Sequence, residues 1–97
     1  MTLYAVTCFD KPDSLDLRMA TRPTHLVYLE GQVASGVLKL AGPLLDDGDS
    51  PIGSLLIVET ADKEAAAAFA AGDPYAQAGL FESVTIRPWR KVFGDIA

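Results

Sequence analysis

Strand-forming residues crowd the start of the chain. TLYAVTCF, residues 2–9, has no helical spacing and predicts a strand buried on both faces or nearly so. DKPDS breaks it, and Asp13 or Ser14 is placed to cap a short helix over LDLRMA. In TRPTHLVYLEGQVASG the residue before proline avoids helical angles, so the chain should leave the helix at Thr21 or Arg22. Pro23 then suits the first position of a new helix. Leu26, Leu29 and Val33 recur at helical spacing and mark its core face, and Gly36 ends it. VLKLAGP, residues 37–43, alternates and predicts a second strand. LLDDGDSPIG is a polar, turn-rich connection with little to bury, the expected mobile segment. SLLIVETA is the most apolar strand and belongs at the centre of a sheet. Asp62 caps KEAAAAFAA, an alanine-rich helix with Phe69 for packing and Gly72 to close it. DPYAQAG gives a brief helical turn. LFESVTIRPWRKVF predicts the last strand, with Leu80, Val84 and Ile86 on one parity and Phe81, Ser83 and Thr85 on the other. Pro88 belongs at an edge or at the strand's end.

The predicted order is β-α-α-β-β-α-β. With the two early helices taken as one unit, this is an α+β fold of the ferredoxin-like split βαβ type. Four antiparallel strands would carry helices on one face and leave the other bare. A face rich in Val, Leu and Ile does not stay in water, so a second copy of the chain should cover it as a homodimer. A chain of 97 residues, 49% hydrophobic, forms one compact domain over residues 1–97.

Charge narrows the function classes. The net charge is −5, against nonspecific nucleic-acid binding, and the few basic residues in RPWRK read as a solvated strand end. The single cysteine, Cys8, lies in an apolar run and reads as a small core hydrophobe. One histidine and no cysteine pair give no recognisable metal site, and no GxGxxG, P-loop or GxSxG pattern occurs. No cofactor is expected. With no secretory leader and no apolar segment long enough to span a bilayer, a cytoplasmic protein is expected.

Proton transfer has one natural carrier, His25, the only side chain that ordinarily titrates near neutrality. It is placed in the first turn of a helix. A partly buried histidine satisfied by a backbone group is the alternative reading. Asp73 precedes Pro74 and a helical turn, the pattern of an N-cap. A capping carboxylate is also rigid and charged, which suits it to fix the tautomer of an imidazole and leave its other nitrogen free. Arg22 is placed at the same helix start as His25, where a guanidinium and free backbone N–H groups would hold an anion; an exposed arginine is the plain alternative. Tyr75 either bonds a substrate or packs.

The stretches DKPDSLDLRMATRPTHLVYL, LKLAGPL and AAFAAGDPYAQAGLFESVTIRPWRKVF, in this order and spacing, resemble the YciI-like family, also called YCII-related proteins. The resemblance covers nearly the whole chain. It implies the ferredoxin-like fold of the dimeric α/β barrel superfamily and a His-Asp pair in a cleft, which falls on His25 and Asp73. Arg22, Pro23 and Tyr75 also fall on motif positions. Some relatives remove HCl from hydroxyquinol-like compounds, although most are functionally obscure. Two readings follow: a small cofactor-free enzyme acting on an anionic or enolic substrate by elimination or isomerisation, or a dimer that binds a small molecule without turning it over.

Overall fold

A computed structural model describes residues 1–95. The chain runs β1 (Thr2–Asp10), α1 (Leu15–Ala34), β2 (Leu38–Leu45), β3 (Pro51–Thr60), α2 (Lys63–Gly72), α3 (Pro74–Gln77) and β4 (Phe81–Pro88). The four strands form one antiparallel sheet in the order β2-β3-β1-β4. This is the α+β ferredoxin-like arrangement, with the apolar β3 and β1 at the centre as their composition requires. Alternation along β1 buries Tyr4, Val6 and Cys8 against the helices. Val58 and Leu56 of β3 join them, and Ala66 and Phe69 of α2 close the core from above.

Three local expectations are corrected. First, α1 is one continuous helix, with Pro23 inside it. The bias against helical angles before proline is overridden by the packing of Arg18 and His25, which lie buried on either side of Pro23. Pro23 cannot bond the Met19 carbonyl, but both residues are exposed, so water can meet that group. Second, the core-facing stripe of α1 is not Leu26–Leu29–Val33. Leu26 and Val33 are exposed, and the residues turned to the sheet are Arg18, His25, Tyr28 and Leu29. Third, Phe81 packs against the core together with Ile86, despite its opposite parity. A bulge makes this possible: Phe9 pairs with Ser83 and Asp10 with Phe81, so Glu82 is the extra residue that resets the alternation.

The helix and strand ends follow their sequence signals more closely. Asp62 accepts from the Ala65 amide at the start of α2, 2.9 Å away. Ser14 holds the N-cap position of α1, but its hydroxyl donates to the Pro12 carbonyl instead of capping. Gly36 follows α1 with a φ of 85°, the left-handed value that glycine adopts freely. Gly72 serves a different purpose from the expected cap: a Cβ there would come within 2.8 Å of the Tyr28 hydroxyl, which donates to the Phe69 carbonyl. The segment expected to be mobile is a tight hairpin end. Strands β2 and β3 extend into it, and the Asp46 carboxylate accepts from the amides of Gly48 and Ser50. Pro88 ends β4 at the sheet edge. No helix among the described residues is long and apolar enough to cross a membrane.

Candidate functional site

His25 and Asp73 meet. His25 Nδ1 and Asp73 Oδ1 are 2.8 Å apart, with both side chains buried. His25 comes from the interior of α1, not from a helix start. Asp73 ends α2 and caps α3, where Pro74 fixes the first turn. The carboxylate's Oδ1 also accepts from the Tyr75 amide at 2.9 Å. Cap and partner, compatible roles in the sequence, fall on one oxygen. With the carboxylate on Nδ1, the Nδ1–H tautomer is favoured and Nε2 is left as the second ring nitrogen. Nε2 has no protein partner among the described residues, yet no buried side-chain nitrogen or oxygen lacks one. Nε2 therefore opens to the cavity that His25 lines.

That cavity has a volume of about 230 Å³ and lies between α1 and the β2–β3 end of the sheet. Leu26, Leu29, Pro43 and Leu56 give it apolar walls. Its polar groups are Arg18, Arg22, His25, Ser54 and Tyr75. Tyr75 stacks on the imidazole at 3.8 Å between ring centroids and 15° between planes. It is almost wholly buried, so its packing role is realised and little of it is open to a ligand. Arg22 lines the cavity from an exposed position and makes no ion pair among the described residues. The expected free N–H groups beside it are absent, because the helix begins at Leu15 and those groups are bonded within α1.

Arg18, Asp10 and Ser54 were not singled out from the sequence. The Arg18 guanidinium grips Asp10 through Nε at 2.6 Å and Nη2 at 2.9 Å, and Nη2 also donates to Ser54 Oγ at 3.0 Å. Its Cζ lies 4.6 Å from the centre of the Tyr75 ring. The available signal was spacing: Arg18 is two helical turns before His25 and so shares its face, about 10 Å away along the axis. Asp10 shares the core parity of Tyr4, Val6 and Cys8, but only if the first strand runs one residue further than its apolar stretch.

Electrostatics in the cavity follow from burial and these charges. Burial would lower the Arg18 guanidinium's affinity for its proton, but the hydrogen bonds and charge of Asp10 outweigh it and raise the pKa above its ordinary value. Burial raises the Tyr75 phenol, while the positive charges of Arg18 and Arg22 pull it the other way. Burial, helped by the Asp73 charge, pushes the Cys8 thiol up to about 12. Cys8 is accordingly expected to resist iodoacetamide at pH 8 in the native protein and to react once unfolded; native labelling at the free-thiol rate would contradict its burial. The sign for stability follows. The folded thiol keeps its proton above the unfolded value of about 8.5, so its contribution is intact below that pH and is lost as pH climbs toward about 12. Among the described residues, no three His, Cys, Asp or Glu side chains group as a metal site.

Residues 2–90 match the YCII-related domain family. Protein YciI of Escherichia coli O6:H1 (strain CFT073) is 41% identical over 97 residues, covering 94% of this chain and 99% of that protein. An uncharacterized protein of Haemophilus influenzae is 35% identical over 96 residues, covering 93% and 98%. Among solved structures, 5-chloro-2-hydroxyhydroquinone dehydrochlorinase (TftG) from Burkholderia phenoliruptrix AC1100, in complex with 2,5-dihydroxybenzoquinone, superposes with a TM-score of 0.81 at 31% identity, covering 91% of this chain and 93% of that one. An antibiotic biosynthesis monooxygenase superposes with a TM-score of 0.56 at 16% identity, covering 95% and 99%, a likeness of fold alone. With the match running from the first strand past the end of the last, this chain belongs to the YCII-related family.

Proposed function

We propose that this chain is a small enzyme that moves a proton on a small anionic or enolic molecule, without a bound cofactor, in an elimination or isomerisation. The observation that carries the reading is the 2.8 Å bond between His25 Nδ1 and Asp73 Oδ1 at the wall of a cavity. His25 Nε2 takes a proton from an O–H, or from a C–H next to a carbonyl. The electron pair left behind forms a carbon–carbon double bond or a carbonyl. In an elimination, the carbon next to that C–H, or the one conjugated to that O–H through a carbon–carbon double bond, releases its leaving group as an anion. The imidazolium then gives its proton to solvent, or in an isomerisation to another atom of the substrate. Asp73 holds the Nδ1–H tautomer and stabilises the imidazolium while it exists. Arg22 faces the developing oxyanion. Tyr75 keeps the imidazole plane fixed by stacking.

A likeness in fold and sequence to a dehydrochlorinase of a hydroxylated ring supports this class of chemistry. The cavity, at about 230 Å³, admits a single six-membered ring with its substituents. Exchange of the ring protons of 2,5-dihydroxybenzoquinone for deuterium, followed by NMR in D₂O, tests the reading. The wild type should accelerate exchange, and Asp73→Asn should slow it while shifting His25 toward the other tautomer in ¹⁵N spectra. An unchanged tautomer ratio, or no acceleration by the wild type, removes the acid–base assignment.

The same reading includes a homodimer. On the sheet face away from the helices, Phe9, Leu40 and Leu55 are 46%, 50% and 41% exposed. A second copy packed face to face would cover them. Sedimentation is expected to give twice the chain mass at micromolar concentration; a monomer at that concentration contradicts it.

A further inference from the structure

We propose that Arg18 anchors the anionic oxygen of the ligand through the guanidinium edge that Asp10 leaves free, and that Asp10 is its positioning residue. The inference rests on the reading of the cavity as a site for small anionic or enolic molecules. Arginine carries five N–H donors. Nε and one Nη2 hydrogen hold the Asp10 carboxylate, and the other Nη2 hydrogen reaches Ser54 Oγ. The Tyr75 hydroxyl also interacts with the guanidinium, but neither donor on Nη1 meets a protein acceptor at full hydrogen-bond geometry among the described residues. Because no buried side-chain nitrogen or oxygen lacks a partner, Nη1 is not sealed inside the protein. The cavity is the opening that Arg18 lines. A residue with only 4% of its surface exposed thus turns one edge to a carboxylate and the other to the cavity.

Arg18 fits this task better than Arg22. Asp10 and Ser54 already fix its orientation, so little side-chain freedom is lost when an oxygen binds. Arg22 is exposed and makes no ion pair among the described residues, so a ligand itself would have to order it. Water is also largely excluded around Arg18, which strengthens each charge-assisted hydrogen bond it makes. Position adds a constraint on the ligand. Arg18 and His25 share one face of α1 two turns apart, and Tyr75 touches both, stacked on the imidazole and 4.6 Å from the guanidinium carbon. A molecule held at both ends presents its reacting carbon to His25 and carries a phenolate, enolate or carboxylate oxygen several atoms away. A ligand whose only oxygen sits on the reacting carbon would not reach both.

Removing Arg18 alone would strand Asp10, so the test uses the charge-free pair Arg18→Gln with Asp10→Asn, with folding checked by circular dichroism. Calorimetry compares two ring compounds of similar size: 2,5-dihydroxybenzoquinone, which is anionic at pH 7, and neutral hydroquinone. The double variant should bind the anion at least about tenfold more weakly, with hydroquinone within about twofold of wild type. Arg22→Gln should cost less than the double variant. The proposal is overturned if the double variant binds the anion as wild type does, if wild type binds the anion no better than hydroquinone, or if Arg22→Gln carries the loss. Each of those results leaves the proton-exchange assay of His25 and Asp73 standing on its own. Conversely, anion binding that depends on Arg18 with no exchange would keep the anchor and remove the catalytic reading.

Discussion

Replacing His25 with glutamine should lower the rate of proton exchange by about 10²–10⁴-fold while leaving the protein folded. Glutamine can still donate to Asp73 from its amide, so the buried carboxylate keeps a partner. It cannot accept a proton and return it. The side chain is also close enough in size to avoid opening a void beside Tyr75, whose ring lies 3.8 Å from the imidazole centroid. His25→Ala is the harsher variant, since it removes the stacking partner and leaves one hydrogen bond to Asp73 unmade. A drop in melting temperature is expected for alanine and not for glutamine. The measurement is the initial exchange rate beside a melting curve for each variant. A glutamine variant that keeps its rate within a few-fold of wild type would show that the imidazole moves no proton.

The largest effect on stability is expected at Asp10. Its carboxylate takes two hydrogen bonds from Arg18, and the two side chains are 6% and 4% exposed. Asp10→Ala leaves a buried guanidinium with no counter-charge, a change that costs about 3–5 kcal/mol. A domain of this size is stable by about 5–15 kcal/mol in all. At about 4–8 °C of melting temperature for each kcal/mol, the variant should melt about 12–40 °C below the wild type. The cost comes from breaking the pair more than from any intrinsic gain the pair provides. Replacing both partners together with apolar residues, Asp10→Leu with Arg18→Met, should therefore recover most of the stability that Asp10→Ala loses. Urea denaturation of the two variants gives the comparison. A loss below about 1 kcal/mol for Asp10→Ala would mean that the guanidinium finds water or another acceptor.

Much of the architecture was legible from residue pattern alone. The central place of β3 follows from its apolar composition, the α2 cap from Asp62, the end of α1 from Gly36 and the end of β4 from Pro88. The His25–Asp73 encounter was legible only as a possibility, because two residues 48 positions apart meet through the tertiary fold. The misreadings share a physical cause. Proline and apolar spacing describe an isolated helix, whereas the buried face of α1 is set by what it must pair with. Arg18 and His25 are polar, so the apolar spacing of this segment falls on Leu26 and Val33 instead. The bulge opposite Asp10 is likewise invisible to parity, since one extra residue reverses every side chain beyond it. Arg18, Asp10 and Ser54 come from three separate elements, and no local motif announces them.

One carboxylate oxygen ties the four-residue turn of α3 to the imidazole of α1. The Asp73–Pro74 step is thus a joint where chain length and chemistry are set together. An insertion or deletion between α2 and α3 would carry the carboxylate away from its ring, whereas the hairpin tip at Asp46–Ser50 can lengthen or shorten without reaching the imidazole. Added residues are expected to be tolerated at that tip and to break the imidazole–carboxylate contact at the joint.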